Sequence, residues 1–400
     1  MLIEPRDSLI VRDGRPFTNS PGAHARSLPF PLPQTLAGAY RSRRGLQEGL
    51  RFPEEAERVL SWGVKGPLLA EEGEGGWRLL APRPLDAVRL GETVYPLAPL
   101  EPPEGAGTNL PQDLLPVALE DPSLKEKPGR LPSWWYWENF QNWLLNPHTG
   151  FRVEGQDGPV PEVRTHVSLD PSTGTGLEGA LFQTQGLEFR VKRKRDKESG
   201  FGGRLALVLW PEDGVSVEGI HPLGGERRLA YWHSGGPQIP LVPERLVEAL
   251  LQNRAARLVL LTPAFFHGAY LPEEGRFLGA TAVAAAVGRP LVVSGWDLKA
   301  GRPKPTRRAV PAGSVYFLRL PQAWGEAEVR EWIAGIWFQN LSDREQDRKD
   351  GYGLAALGVW SGRPLKWRLG CGGSRSGARP TPPGSGKRAR SGTGTMGCPW

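Results

Sequence analysis

RTHVSLDPSTGTGLEGALFQTQGLEFRVKRKRDKESGFGGRLALVLW, residues 164–210, is the stretch on which the reading of the fold turns. Thr165 to Leu169 alternates apolar and polar side chains, and Leu187, Phe189 and Val191 alternate with Glu188, Arg190 and Lys192. A period of two predicts strands with one buried and one wet face. Asp170-Pro171-Ser172-Thr173-Gly174 supplies the turn between them. The prediction is a β-hairpin with a second, charged hairpin attached. Arg190, Lys192, Arg193, Lys194, Arg195 and Lys197 stand on the wet side, against Asp196. A charge run is ordinarily a solvated turn. Six cations with no packing reason to gather point instead to an anion outside the core. Gly174, Gly176 and Gly179 match G-x-G-x-x-G, but that motif binds a dinucleotide only where it leaves a strand and opens a helix. Here it lies between strands, and we reject it.

A chain of 400 residues predicts two or three domains. Its 52 glycines and 40 prolines favour loops and turns over long helices. No apolar run approaches the ~18 residues of a membrane helix. The N-terminus lacks the basic-then-apolar pattern of a signal peptide. The expected compartment is the cytoplasm, with no membrane partner. The net charge of +7 misleads. Eight basic residues and no acidic one follow position 362, and subtracting them leaves residues 1–362 at −1. A nucleic-acid reading must therefore rest on local clusters. Both cysteines, Cys371 and Cys398, lie in that tail, so the body has neither disulfides nor thiolate metal sites. Histidines are scattered and carboxylates unclustered, so no metal or cofactor is expected.

Residues 5–12 read as a strand broken at Arg12-Asp13-Gly14-Arg15-Pro16-Phe17. Prolines from Pro29 to Pro33 delay a helix that starts near Gln34 and Thr35, with Leu36 and Tyr40 on one face and Arg41, Arg43 and Arg44 opposite. Its N-terminus offers amides and a positive dipole end to phosphate. Residues 50–160 read as an insertion. Within it Trp134, Trp137 and Phe140 form an aromatic stripe that is ordinarily core, and otherwise a protein-interface anchor. Gly224-Gly225 before Arg227 and Arg228 sets bare amides beside guanidinium forks. Farther on come a helix at 246–251, a strand at 257–262, a short helix at 280–287 and strands at 290–294 and 314–320. A basic loop at 301–308 carries Lys304, Arg307 and Arg308, and an amphipathic helix at 329–337 precedes Gly351-Tyr352-Gly353 and a strand at 354–360. Strand, helix, strand, strand, helix, strand is the ferredoxin-like βαββαβ order. Residues 1–236 read the same way with the insertion, and 237–362 form the second unit. The expected class is thus α+β, with tandem ferredoxin-like (RRM-like) domains. Residues 363–400 have the composition of a disordered basic tail.

RDGRPF (12–17), LAGAYR (36–41), RTHVSLDPSTGTGLEGALF (164–182), LGGERR (223–228), GRPKPTRRAVPAGSVYF (301–317) and GYGLAALGVW (351–360) resemble a family in their order and spacing. The family is that of the third subunit of the type III-B CRISPR Cmr effector complex, within the RAMP superfamily. The resemblance implies a non-catalytic subunit that grips the 5′ handle of the guide crRNA in antiviral defence. It also implies docking to the large polymerase-like subunit and neighbouring RAMP subunits, with target RNA as a further partner. It sets Arg12, Arg15, Phe17, Gln34, Thr35, Arg41, His166, Arg227, Arg228, Gly351 and Gly353 along the RNA path. Charge and glycine content add Arg164, Arg190, Lys192, Lys194, Gly224, Gly225, Lys304, Arg307 and Arg308, with Tyr352 as a stacking face. The family's thumb-like hairpin matches either the 187–208 element or part of the insertion.

Two other functions compete. One is a metal-independent crRNA-processing endoribonuclease using His166, His24 or His221 as base; none has an acid or nucleophile at a recognisable spacing. The other is an adaptor that binds only protein, through the 134–143 aromatics.

Overall fold

A computed structural model describes residues 1–12, 24–51, 54–111, 114–191, 203–297 and 301–367. Residues 1–367 form one compact unit, and of the disordered tail expected over 363–400, residues 368–400 lie outside the described residues. Leu365–Lys366, assigned to that tail by composition, instead pairs in parallel with Leu100 and Glu101.

In chain order the framework is β1 (Leu2–Pro5), α1 (Pro33–Gln47), α2 (Ala56–Ser61), β2 (Val64–Gly73), β3 (Gly76–Pro82), β4 (Trp134–Tyr136) and α3 (Trp137–Leu145). The hairpin strands β5 (Val160–Leu169) and β6 (Gly176–Glu188) follow, then β7 (Gly203–Pro211), β8 (Gly219–Pro222) and β9 (Leu229–His233). The second half holds α4 (Glu244–Asn253), β10 (Ala255–Leu260), β11 (Ala280–Ala286), β12 (Val315–Arg319), α5 (Glu326–Ile336), α6 (Glu345–Lys349) and β13 (Ala355–Val359).

The first sheet runs β4-β3-β2-β7-β1-β9-β8, with β7 antiparallel to both β1 and β2. Its centre follows from one apolar run. In β7, Leu205, Leu207 and Leu209 pack with Leu36, Ala37 and Tyr40 of α1, while Ala206, Val208 and Trp210 enter a core shared with the second sheet. A strand buried on both faces needs no polar alternation. The second sheet runs β11-β12-β10-β13, and β10 is buried along its whole length. Because one apolar cluster takes residues from both sheets and from α3, the two halves share a core.

Four expectations change. The first strand is Leu2–Pro5, while Leu9 and Arg12 make isolated bridges to Leu187 and Ser27. Residues 64–82 and 134–136, read as insertion, are strands of the main sheet. Ala280–Ala286 is a strand, because pairing with β12 overrides alanine's helix propensity. Each half also departs from the full βαββαβ order among the described residues. Residues 212–228 hold β8 and a 3-10 turn where the first half needs its second helix. Between β10 and β11 the chain is loop and a 3-10 turn where the second half needs its first. The observed class is α+β, with more sheet than helix.

Candidate nucleic-acid interface

The β5–β6 hairpin stands out from the body. Asp170 Oδ1 accepts from the Ser172 amide at 2.8 Å, and its carbonyl accepts from Gly174, closing the turn that the sequence predicts. A one-buried-face reading fails beyond the hairpin's base: Val163, Val167, Leu169, Leu177 and Leu181 are 44–58% exposed. Burial begins at Thr184, where Leu187 exchanges backbone hydrogen bonds with Leu9 at 2.8–2.9 Å and Ser27 Oγ donates to the Gln185 carbonyl at 2.6 Å. On one face of the hairpin, His166 stacks on Phe182 across the strands, with centroids 5.2 Å apart and planes at 16°. His166 Nε2 lies 2.9 Å from Thr184 Oγ1. The sequence reading missed Phe182; antiparallel register, which sets it opposite His166, is the signal that finds it. Arg164 makes two 3.0 Å bonds to Glu162, and that bonding holds the Glu162 carboxyl below its ordinary range.

The glycine turn closes on the same region. Gly225 donates its amide to Ile10 at 2.7 Å, and a Cβ on Gly224 would meet that carbonyl at 2.5 Å. These glycines therefore serve close backbone approach, and the Gly225 amide is not bare. Arg12 lies 3.8 Å from Glu226, and Arg228 bonds the same carboxylate at 3.1 Å. Arg227 and Arg190 are exposed, and Arg227 has no ion pair among the described residues. The turn, Arg12 and the hairpin base thus meet around Leu9–Arg12. Arg15, Phe17, Lys192 and Lys194 lie outside the described residues.

The second predicted cluster is mostly structural. Arg41 is 5% exposed and donates to Asp350 at 2.5 Å, twice to the Trp62 carbonyl and once to that of Lys349. Arg44 is buried too, held by Asp213 at 2.5 Å and Glu48 at 2.8 Å. Arg41 and Arg44, set opposite Leu36 and Tyr40 by the sequence pattern, therefore pack against the body. Gln34 Nε2 donates to the Ser294 carbonyl at 2.6 Å, and the Thr35 amide to Leu32, so the helix start is already engaged. Tyr352 is 1% exposed against Phe265, which removes it as a stacking face; burial pushes its hydroxyl far above the ordinary range. Gly351 and Gly353 are buried, and a Cβ on Gly351 would lie 2.4 Å from the Gly66 carbonyl. This turn is packed, not open to a ligand. Arg307 bonds Asp347 twice at 2.7 Å, an interaction that raises its pKa, and lies over Phe265. Lys304 and Arg308 are exposed.

Trp134, Trp137 and Phe140 are buried, at 8%, 7% and 0%. Trp134 meets Phe30 at 4.5 Å and Trp137 meets Phe338 at 5.3 Å, so the stripe is core and not an interface anchor. Among the described residues no group of three or more His, Cys, Asp or Glu could hold a metal ion, and no helix is long and apolar enough to cross a membrane.

The fold and this face define an α+β protein of two joined antiparallel sheets, with arginines and an aromatic pair around an exposed hairpin. A family model for CRISPR-associated protein (Cas_Cmr3) matches residues 1–360, and the chain belongs to that family. No curated protein matches it. Two solved structures are similar. One is the Type III-B Cmr-beta bound to cognate target RNA, with TM-score 0.47 and 16% identity over 92% of this chain and 98% of that one. The other is Cmr-beta bound to cognate target RNA and AMPPnP, with TM-score 0.44 and 16% identity over 79% of this chain and 85% of that one.

Proposed function

We propose that this Cas_Cmr3 protein is a non-catalytic RNA-binding subunit of a type III-B Cmr effector complex, gripping the 5′ handle of the guide crRNA and docking the large polymerase-like subunit. One observation supports it above the others. Arg12, Gly224, Gly225, Arg227 and Arg228, far apart in sequence, converge where the glycine turn meets the hairpin base, and Arg164 and His166 stand on the hairpin strand that leaves it. Guanidinium groups at the base, with the His166–Phe182 stack farther along the hairpin, supply the phosphate contacts and the stacking platform that single-stranded RNA uses. Strand orders β2-β7-β1-β9 and β11-β12-β10-β13 likewise favour reading 1–236 and 237–362 as tandem ferredoxin-like units. The thumb-like role falls to the β5–β6 hairpin, which is neither of the two candidates read from sequence. His166 is engaged by Thr184, which favours a binding role over a general base.

The test is fluorescence anisotropy of a labelled handle fragment against a scrambled one with the full chain, over a salt series, with the RNA checked on a gel. Tighter binding of the true handle, left intact, supports the reading. Equal binding of both sequences refutes it, and cut RNA turns it to the nuclease.

A further inference from the structure

Two cavities share walls from segments 265–270 and 307–311, and the larger is also lined by residues of 110–117 from the first half. The larger, about 560 Å3, is lined by Leu114, Tyr270, Val287 and Pro311 among other mostly apolar groups. It falls within the range that small-molecule sites occupy, roughly 300–1,000 Å3. The smaller, about 270 Å3, is more polar than the larger, with Arg307, Arg308, Arg344, His267 and Asp343 around Phe265 and Phe266. Arg308 lines both.

The charges in the smaller cavity do not cancel. Arg307 is neutralised by Asp347. Asp343 is committed to His267, accepting from its amide at 2.5 Å and lying 3.2 Å from its Nδ1. Arg308 and Arg344 are exposed and have no ion pair among the described residues. Two unpaired guanidinium groups in the smaller cavity, one of which, Arg308, also borders the apolar one, suit a ligand with a flat apolar body and one phosphate, which a guanidinium fork binds bidentately. The larger cavity offers Tyr270 as a stacking partner for a base, and among the described residues that line it none has an acidic or amide side chain.

We propose that Arg308 joins the two cavities into one nucleotide subsite, with the base beside Tyr270 and its phosphate between Arg308 and Arg344. The subsite rests on the RNA-binding reading for its source, a nucleotide within RNA. It extends that reading to His267, Tyr270, Val287 and Arg344, which lie away from the hairpin face.

The experiment compares the full chain with Arg308→Ala/Arg344→Ala, which alters exposed side chains, and with Val287→Trp, which fills the larger cavity. Thermal unfolding checks that each variant is folded. Binding of a labelled single-stranded RNA is read over a salt series, and binding of AMP and UMP by calorimetry. The double arginine variant is expected to bind RNA about tenfold more weakly, with a log–log salt slope reduced by about one. Val287→Trp is expected to weaken binding about tenfold with the slope unchanged. RNA binding equal to wild type in both variants overturns the subsite, while preference for the true handle over its scramble still stands as the separate test of the handle reading. If the wild-type chain binds no RNA, the handle reading falls and the mononucleotides decide. AMP or UMP binding lost in the arginine variant assigns the site to free nucleotide, and no binding overturns it.

Discussion

Replacing Arg41 by alanine separates a structural arginine from an RNA contact, because the resemblance set it on the RNA path and the fold buries it. Its guanidinium makes four hydrogen bonds, one to Asp350 and three to the carbonyls of Trp62 and Lys349. Arg41→Ala leaves the buried Asp350 carboxylate with Gln346 Nε2 at 2.9 Å as its remaining side-chain donor. Breaking one partner of a buried pair costs about 3–5 kcal/mol. Unfolding entropy of roughly 2.1 cal/mol/K per residue gives about 0.8 kcal/mol/K for the compact unit of residues 1–367. The midpoint should therefore fall by about 4–6 °C in a calorimetric scan. Arg41→Lys keeps the charge but not the fork, so it should fall by a smaller amount. Variant protein still folded at the assay temperature should bind RNA with an unchanged salt slope. An unaltered midpoint together with a slope reduced by about one would refute the reasoning and return Arg41 to the RNA.

Other outcomes follow from the same geometry. His166→Ala and Phe182→Ala should each weaken RNA binding in anisotropy by about 1–3 kcal/mol if a base stacks on the pair, with intact RNA before and after; unchanged affinity in both counts against stacking there. Arg227→Ala should lower the salt slope by about one, whereas Arg164→Ala, whose guanidinium is already held by Glu162, should lower it less; the reverse order would contradict the pairing seen here. Burial, and then Arg43, depress the His221 pKa below its ordinary 6.5. A base with a lowered folded pKa binds fewer protons in the native state, so its stabilising share is present above about pH 6.5 and is lost as pH falls below it. Midpoints measured from pH 7.5 to 5 should fall less steeply in His221→Gln than in wild type.

Much of the framework was legible because it rests on local patterns. The apolar run of β7, the proline-delayed start of α1, the amphipathic α5 and the Asp170 turn all carry their cause in adjacent residues. What was hidden depends on pairing. Five of the seven residues 280–286 are alanine, which favours helix; pairing with β12 alongside makes them a strand. Residues 64–82 resemble an insertion until β7, more than a hundred residues later, pairs with them.

The site shows the same division more sharply, since an arginine's role is set by the carboxylate it finds. Arg41 and Arg227 look alike in sequence. The first meets Asp350, 309 residues away, and becomes part of the packing. The second sits at a left-handed φ of 50° on a surface turn, where Glu226 is already shared by Arg12 and Arg228. Net charge and spacing cannot distinguish these cases, because the partner that neutralises one and not the other arrives through the fold. Glycine misleads for the same reason. Gly224 and Gly351 both have positive φ and both would clash with a carbonyl oxygen if a Cβ were added. Yet one lies beside exposed arginines and the other in the packing under α1. A glycine-rich motif specifies that backbones approach closely. At both positions the approaching group is the protein's own backbone, Ile10 for Gly224 and Gly66 for Gly351, and the difference is that exposed arginines surround only the first.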